Sequence, residues 1–255
     1  MSSNKAAEAA AAKEDAKRRQ VIIILEQAAL ETVKTSKGYQ LLNCDDHKSI
    51  HKKFNKDPTQ SRPDILHQEL MAVLDSPLNK AGFLKVYIHS TKGVLVDVSA
   101  QMRVPRTYKR FAGLMVVMRW PVQLLHTLKI RSSDGKQTLL NVIKNPITRY
   151  LPANSKKYGS FSLRLVLENE VAHRTDELWA ALTRTGTLVN PWEFVETLPT
   201  DEPVVFIFGA MAHGHISKEN TNYLDETIAI SEYPMSGAQA ICRLLNAFER
   251  HWGIL

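Results

Sequence analysis

The sequence of 255 residues has few of the features that a secreted or membrane protein needs. It contains only two cysteines, Cys44 and Cys242, far apart in the chain, so we expect reduced thiols and no disulfide framework. No apolar run reaches the roughly 18 residues of a membrane span, and the N-terminus lacks the apolar core of a signal peptide. We therefore expect an intracellular protein with no membrane partner.

Several sequence signatures of nucleotide-binding and hydrolytic enzymes are also missing. No Gly-x-Gly-x-x-Gly follows the first apolar run, and no Gly-x-Ser-x-Gly occurs. Gly209 and Gly214 have the spacing of a P-loop, but His215 and Ile216 stand where Lys and Ser or Thr would have to reach phosphate and magnesium. The sequence therefore does not support ATP hydrolysis or a dinucleotide fingerprint.

Acidic residues are almost absent from one part of the chain. Residues 98–167 contain thirteen Lys and Arg but a single acid, Asp134, which is a net charge of +12; residues 168–255 carry −8. A focused positive field of this kind is typical of proteins with a polyanionic partner, either nucleic acid or a phosphorylated substrate. A solvated basic face without a partner is the alternative.

Cys44, His47 and His51 have a spacing that could bring three ligands to one zinc ion. A structural zinc site needs four ligands, and no nearby Cys or His supplies the fourth. We therefore favour a loop that leads into an exposed helix, and we predict no metal site. A metal hydrolase that used Cys44 and His47 would have to contain metal when purified.

The longer apolar runs predict an α/β domain with a ligand site near its C-terminus. Residues 21–25 and 204–208 are typical of strands that are buried on both faces. The second of these runs leads into small residues from Gly209 to Gly214, where a ligand could approach bare backbone amides, and a further apolar run follows at 228–230. Ligand sites in open α/β sheets lie at such strand ends.

Three other patterns predict the elements around that site. Ser61 is placed to cap a helix whose first turn contains Asp64. Residues 84–89 and 94–98 flank a turn and predict a hairpin. After Ser236, apolar residues repeat at helical spacing, so the chain should end in an amphipathic helix that buries its apolar stripe against the sheet or a second subunit.

Residues 103–110, with the sequence RVPRTYKR, form the densest basic segment. The proline keeps the chain extended before a helix that should start near Thr107, so that Arg106 and Arg110 share a face, with Arg103 on the approach. Like charges in this arrangement repel unless an anion bridges them. Together with the tyrosine of the segment, which could stack on a base, they predict a clamp for an RNA phosphate backbone.

With these segments in view, the chain closely resembles the nucleolar essential protein / essential-for-mitotic-growth family. These are methyltransferases of the SPOUT superfamily that act on a pseudouridine of small-subunit ribosomal RNA. The resemblance extends from about residue 19 to residue 255. The matching segments are LLNCDDH at 41–47, RPD at 62–64, LDSPLNKAG at 74–82, RVPRTYKRF at 103–111, NP at 145–146, GAMAHG at 209–214 and ISEYPMS at 230–236.

The resemblance implies a SPOUT-type α/β fold, in which a mostly parallel sheet is flanked by helices. It further implies a β-rich insertion within about 84–165 and a C-terminal deep trefoil knot within about 178–255, whereas residues 1–18 form an Ala/Lys/Glu tail that we expect to be disordered. Members of the family look dimeric and pair through the knot region. The resemblance therefore implies a dimer, which would account for the apolar final helix. A location in the nucleus, at the nucleolus, and contact with ribosome assembly factors are further expectations.

The resemblance also implies a cofactor, S-adenosyl-L-methionine, and the residues that bind it and the RNA. The cofactor contacts would be Leu182, Gly209, Gly214, Ile228, Ala229, Ile230, Ser231, Glu232 and Tyr233. The RNA contacts would be Arg62, Arg103, Arg106, Lys109 and Arg110. The acidic positions that match the family are Asp64 and Asp75, which we group with Arg62 as the expected catalytic residues.

The expected reaction is transfer of a methyl group to N1 of a pseudouridine in small-subunit ribosomal RNA, in the service of small-subunit biogenesis. Arg62, held by Asp64 or Asp75, would stabilise the negative charge that develops on the base. An aspartate acting as general base is the weaker version, because its ordinary pKa of about 4 is poorly matched to an imide-like proton. Two alternatives stay open, namely a helix-start ion pair without a catalytic role and a non-catalytic RNA-binding ribosome assembly factor.

Overall fold

A computed structural model describes residues 19–116, 129–131, 138–143, 147–151, 157–160, 186–200, 202–214, 216 and 225–255. The tail expected at 1–18 lies outside the described residues, as does Leu182. No helix in the described part of the chain is long and apolar enough to cross a membrane.

Nine of the strands in the described residues form one mixed sheet, in the order β6-β7-β5-β4-β1-β10-β8-β11-β9, and β2 and β3 form a separate hairpin. The strands are β1 (Val21–Ala28), β2 (Thr32–Thr35), β3 (Gly38–Leu41), β4 (Leu84–Ser90), β5 (Leu95–Val98), β6 (Lys129–Arg131), β7 (Thr138–Ile143), β8 (Lys157–Ser160), β9 (Thr187–Leu188), β10 (Val204–Gly209) and β11 (Glu226–Ala229). The six strands from β4 to β9 in this order are parallel. Strands β5, β7 and β6 extend the sheet in antiparallel fashion beyond β4.

The described helices pack around this sheet. They are α1 (Lys48–Lys53), α2 (Pro63–Asp75), α3 (Pro77–Lys80), α4 (Tyr108–Val116), α5 (Pro191–Glu196) and α6 (Gly237–His251), with 3₁₀ turns at Pro58–Gln60 and Ile147–Arg149. The expected mostly parallel sheet flanked by helices is therefore confirmed. The antiparallel strands of the expected insertion all lie at one edge, whereas β4 and β8 belong to the parallel part.

Strands β1 and β10 form the centre of the core, as their apolar runs predict. The two strands are parallel neighbours, and every residue of β10 is buried. Side chains alternate between two apolar clusters, so Phe206 and Phe208 pack on the face with α2 and α6 while Val205 and Ile207 pack on the other. Burial on both faces explains why these strands are continuously apolar.

The start of α2 differs from the prediction. Arg62, and not Ser61, occupies the N-cap position, and its side chain makes no capping hydrogen bond. Ser61 instead closes the preceding 3₁₀ turn, where its backbone N–H donates to Pro58 O at 3.0 Å. Asp64 lies in the first turn of α2, as expected, near the positive end of the helix dipole.

The final helix begins as predicted but buries its stripe within the chain. Ser236 Oγ accepts a hydrogen bond from the backbone N–H of Gln239 at 3.2 Å. The apolar residues of the stripe are buried, and α6 packs on α2, α5 and β10. Of the two possibilities that the sequence left open, burial against the chain's own sheet and helices therefore accounts for this helix, and it does not by itself require a second subunit.

Candidate functional site

The expected cofactor side of the site lies at the carboxyl edge of the parallel sheet. Strand β10 ends at Gly209 and is followed by the turn 209–214, and the backbone N–H of Ala210 donates to Glu26 O at 2.7 Å. Gly214 has a φ of +98°, in the left-handed region that side chains disfavour. The turn is thus tied to the end of β1 at one side and depends on glycine at the other.

The backbone of this turn is open to a ligand. Within the described residues, no hydrogen-bond acceptor engages the backbone amides of residues 211–214. Gly209 is closely covered by the flexible side chain of Met211, because a Cβ at this glycine would lie 2.8 Å from Met211 Cε. These amides can therefore donate to a bound group, and the turn can be covered by a movable side chain.

The second expected cofactor segment, residues 228–233, follows β11 at the same edge. Ile228 and Ile230 are buried in the core, so they can face a ligand mainly through their backbone. Ser231 Oγ accepts from the backbone N–H of Tyr233 at 3.0 Å, and the Tyr233 side chain is 73% exposed. Ala229 and Glu232 complete the run, with Glu232 exposed.

The neighbour of β11 on its open side is β9, which begins five residues after Leu182 on the chain. Val189 N donates to Ala229 O at 2.8 Å, and a Cβ at Gly186 would lie 3.1 Å from the backbone carbon of Ile228. This close approach identifies Gly186 as a residue that the sequence reasoning missed. A glycine just before a strand is the signal that could have identified it.

A contact between the buried Glu26 and His89 at the same edge was also missed. The Glu26 side chain is 5% exposed, and its two carboxylate oxygens lie 3.0 and 2.9 Å from His89 Nδ1. Glu26 is also the backbone partner of Gly209 in the sheet, and Gln27 beside it has a φ of +59° at a bulge in β1. The acid inside an otherwise apolar strand was the signal for this pair in the sequence.

On the expected RNA side, Arg62 and Asp64 form the pair that the sequence suggested. Arg62 Nε lies 2.9 Å from Asp64 Oδ1 and 3.2 Å from Oδ2, and Nη2 donates to Oδ2 at 2.7 Å. Hydrogen bonding to Asp64 raises the pKa of the Arg62 guanidinium, so it remains charged. Its Nη1 donors make no hydrogen bond to any described residue. The guanidinium is thus held in place while its Nη1 donors remain available to a ligand.

Asp75 does not join this pair. It lies at the other end of α2, about 16 Å along the helix from Asp64, and forms an exposed ion pair with Arg106. Of the two expected partners of Arg62, the structure therefore provides Asp64 only. Asp75 pairs instead with Arg106 of the basic segment.

The loop at 43–47 packs beside Arg62. Burial is the main cause that raises the pKa of the Cys44 thiol, with Asp45 adding to it and Arg62 opposing it, so Cys44 lies close to the guanidinium. The Asn43 backbone N–H donates to His47 Nδ1 at 3.2 Å, and His47 Nε2 lies 3.0 Å from Gln40 Oε1. Both ring nitrogens of His47 are engaged in this way, which leaves neither for a metal ion.

The basic segment is anchored to α2 by His67. The ring nitrogen Nε2 of His67 lies 2.7 Å from Pro105 O, and the imidazole stacks on Phe111 with the ring centroids 4.6 Å apart. Burial raises the pKa of Tyr108, whose hydroxyl is buried, so this ring is less open for stacking than we expected. Arg103, Arg106, Lys109 and Arg110 are all exposed, as a phosphate-binding surface requires.

Asp57 precedes the Arg62–Asp64 pair on the chain. Hydrogen bonds from Thr59 are the main cause that lowers the pKa of Asp57, and His213 of the turn 209–214 contributes to the same shift. His213 therefore lies within electrostatic reach of Asp57, five residues before Arg62.

Comparison with known proteins identifies the family of this chain. Residues 23–249 match the profile of the EMG1/NEP1 methyltransferase family. The chain is 45% identical to human ribosomal RNA small subunit methyltransferase NEP1 over 232 residues, which cover 91% of this chain and 81% of the human protein. It is 30% identical over 207 residues to the Nep1 enzyme of Saccharolobus solfataricus, covering 81% of this chain and 78% of that protein.

A solved structure shares the fold. The crystal structure of Archaeoglobus fulgidus Nep1 bound to S-adenosylhomocysteine superposes with a TM-score of 0.59 at 19% identity, covering 92% of this chain and 99% of that one. Fold and site together define a mostly parallel α/β protein with an open ligand turn at the carboxyl edge of its sheet, beside a basic surface. The chain belongs to the EMG1/NEP1 methyltransferase family, as the resemblance predicted.

Proposed function

We propose that this protein methylates N1 of a pseudouridine in small-subunit ribosomal RNA, with S-adenosyl-L-methionine as methyl donor, during biogenesis of the small subunit. Its family and the printed names of its relatives, which are small-subunit ribosomal RNA methyltransferases, support the reaction class and the RNA. The observation that carries the proposal is the Arg62–Asp64 pair, which holds a charged guanidinium whose Nη1 donors make no hydrogen bond to any described residue.

The residues at the carboxyl edge fit S-adenosyl-L-methionine. The amides of residues 211–214 and the left-handed Gly214 offer backbone donors and space, and the backbone at 228–233 provides the facing wall. When bound there, the cofactor supplies an electrophilic methyl group on its sulfonium sulfur. The chain contributes position, because holding two reactants in line is worth several kcal/mol of effective concentration.

Arg62 has the electrostatic role in this proposal. N1 of pseudouridine carries a proton, and its loss leaves negative charge that spreads to the ring carbonyl oxygens. A guanidinium held by Asp64, with its Nη1 donors uncommitted, stabilises such an anion without having to reorganise. Asp64 is a poor base in this arrangement, because both of its oxygens already accept from Arg62.

The basic segment binds the RNA backbone in this proposal. Arg103, Arg106, Lys109 and Arg110 are exposed and contact phosphates. Asp75 orients Arg106 through their ion pair, so it acts on RNA binding and not on the reacting base.

A methyl-transfer assay tests the proposal, with two oligonucleotides that differ only in pseudouridine or uridine at the target. Uridine has no N1 proton, because its N1 carries the ribose, so only the pseudouridine RNA should be methylated. Arg62→Ala should lower kcat at least a hundredfold, as loss of an oxyanion-type donor does, and Arg62→Lys should recover little because it cannot keep the two-point contact with Asp64.

Calorimetry with S-adenosyl-L-methionine separates the enzyme from the alternative, a non-catalytic ribosome assembly factor. Micromolar binding of the cofactor supports the enzyme. Tight RNA binding with no cofactor binding and no methyl transfer would contradict our proposal and favour the assembly factor.

We also propose the deep trefoil knot of the family within about 178–255. This proposal rests on the family resemblance, because a strand such as β8 that lies between two later strands is also found in unknotted doubly wound sheets.

A homodimer formed through the knot region, ribosome assembly factors as further partners and a nucleolar location in the nucleus complete the proposal. They rest on the family resemblance alone. Light scattering of the purified protein tests the dimer, with a mass of one chain as the contrary result. Imaging of a fluorescent fusion tests the location, and exclusion from the nucleolus would contradict it.

A further inference from the structure

A cleft of about 940 Å³, separate from the ligand turn, lies between the β2–β3 hairpin, the loop and first turn at 43–50, and helix α4. We call it the hairpin cleft. The lining residues that matter below are Lys34, Lys37, Tyr39, Asn43, His47 and Lys109. Its volume is within the roughly 300–1,000 Å³ of sites that hold small organic ligands.

The hairpin cleft is positively charged. Lys34 and Lys37 come from the hairpin and Lys109 from α4, so two separate elements direct ammonium groups to one opening. All three lysines are exposed, and none of them forms an ion pair with a described residue. The single lining carboxylate, that of Asp46, accepts a hydrogen bond from Asn43 Nδ2 at 2.9 Å. Unpaired cations that converge in this way favour a polyanionic ligand.

The walls of the hairpin cleft suit an unpaired base. Tyr39 stands on the hairpin with 51% of its surface exposed. His47 is held at both ring nitrogens, since the Asn43 backbone N–H donates to Nδ1 at 3.2 Å and Nε2 lies 3.0 Å from Gln40 Oε1 of β3. An aromatic face beside ordered polar groups is the combination by which proteins hold single-stranded RNA.

The hairpin cleft adjoins the basic segment 103–110. Tyr108 and Lys109 of that segment both line the cleft. Lys109 is followed directly by Arg110. A strand of RNA bound at the basic segment can therefore continue into the cleft.

We propose that the hairpin cleft binds the unpaired RNA nucleotides that flank the target nucleotide. Lys34, Lys37 and Lys109 neutralise their phosphates, and Tyr39 stacks on a base. The inference rests on the proposed RNA methyltransferase function and adds to it a second contact region, in which Lys34, Lys37 and Tyr39 lie outside the basic segment 103–110 and Lys109 belongs to both.

The test compares cleft variants on two RNAs, a stem-loop whose target is followed by single-stranded flanks and the same loop without flanks. Lys34→Ala/Lys37→Ala should weaken binding of the flanked RNA and lower its salt slope by about 1.4, as expected for two lost phosphate contacts on a single strand. Tyr39→Ala should weaken it roughly five- to hundredfold, as loss of one stacked base does, and Tyr39→Phe should bind normally. At saturating RNA, kcat should stay unchanged.

Lys48→Ala/Lys52→Ala is the matched control, because these lysines are exposed on the neighbouring helix α1, carry the same charge and do not line the cleft. Equal binding of flanked RNA by the cleft and control variants would overturn the inference, as would an equal loss on both RNAs. If the wild-type protein neither binds nor methylates either RNA, the proposed function itself fails.

Discussion

Glu69 lies inside α2 with its side chain fully buried, and neither carboxylate oxygen has a hydrogen-bond partner in the described part of the chain. Burial raises the pKa of this carboxyl well above its ordinary value. Since a desolvated carboxylate without a partner is very unfavourable, folding favours the protonated form of the side chain. Glu69 therefore acts as a polar residue in an apolar layer and opposes folding.

Glu69 makes the stability of the protein depend on pH. Between the unfolded pKa of about 4.5 and the higher folded pKa, the folded state holds one more proton than the unfolded state, so the free energy of unfolding falls as pH rises. The slope approaches about 1.4 kcal/mol per pH unit. In urea unfolding at pH 5 to 8, the free energy of unfolding of Glu69→Gln should increase relative to that of the wild type as pH rises.

Glu196→Gln is the control for this experiment, because Glu196 lies on the exposed surface of α5. It should follow the wild type at every pH. A constant difference between Glu69→Gln and the wild type across the range would show that Glu69 does not bind a proton on folding.

At the scale of the element, helix α2 presents an acid at each end with opposite electrostatic consequences. Asp64 lies in the first turn, where the helix dipole favours a negative charge, and holds Arg62 by two nitrogens. Asp75 is the last helical residue, where the dipole disfavours it, and its pair with Arg106 is exposed. Exposed pairs contribute little to stability.

We therefore expect the two Asp→Asn variants of α2 to differ. Asp64→Asn should lower the free energy of unfolding by about 1 kcal/mol, because it removes a favourable dipole interaction and the partner of a half-buried guanidinium. Asp75→Asn should change it by less than about 0.5 kcal/mol. Urea denaturation of both variants measures the difference, and a larger loss in Asp75→Asn would contradict this account of the helix.

At the scale of the whole molecule, net charge is divided along the chain: residues 98–167, which include α4, carry +12, whereas residues 168–255 carry −8. A phosphate backbone is therefore attracted to the basic part and not to the acidic part. For the same reason, RNA affinity should depend strongly on salt.

A triple variant should bind RNA more weakly when alanine replaces Arg103, Arg106 and Arg110. The slope of log Kd against log salt should fall by roughly two to three units. The cofactor affinity should not change, since these residues lie outside the ligand turn. Fluorescence anisotropy from 50 to 300 mM salt measures the slope. The control is the triple variant in which alanine replaces Lys48, Lys52 and Lys53. An unchanged slope in the arginine variant would show that the basic segment does not bind RNA.

The sequence by itself determined the features that depend on local pattern. Continuous apolar runs predicted β1 and β10, helical spacing after Ser236 predicted α6, and charge counting located the basic segment. Such features follow from side-chain burial and local propensity, which neighbouring residues decide. The family resemblance predicted the reaction class and the two segments of the site.

Only the tertiary structure decided which charged groups meet. Asp64 and Asp75 are equally plausible partners of Arg62 in the sequence, but a straight helix separates them, so Asp75 meets Arg106 instead. The Glu26–His89 pair and the hairpin cleft likewise join residues that are distant in the chain. Contacts of this kind depend on how strands and helices are placed beside each other, which no local pattern contains.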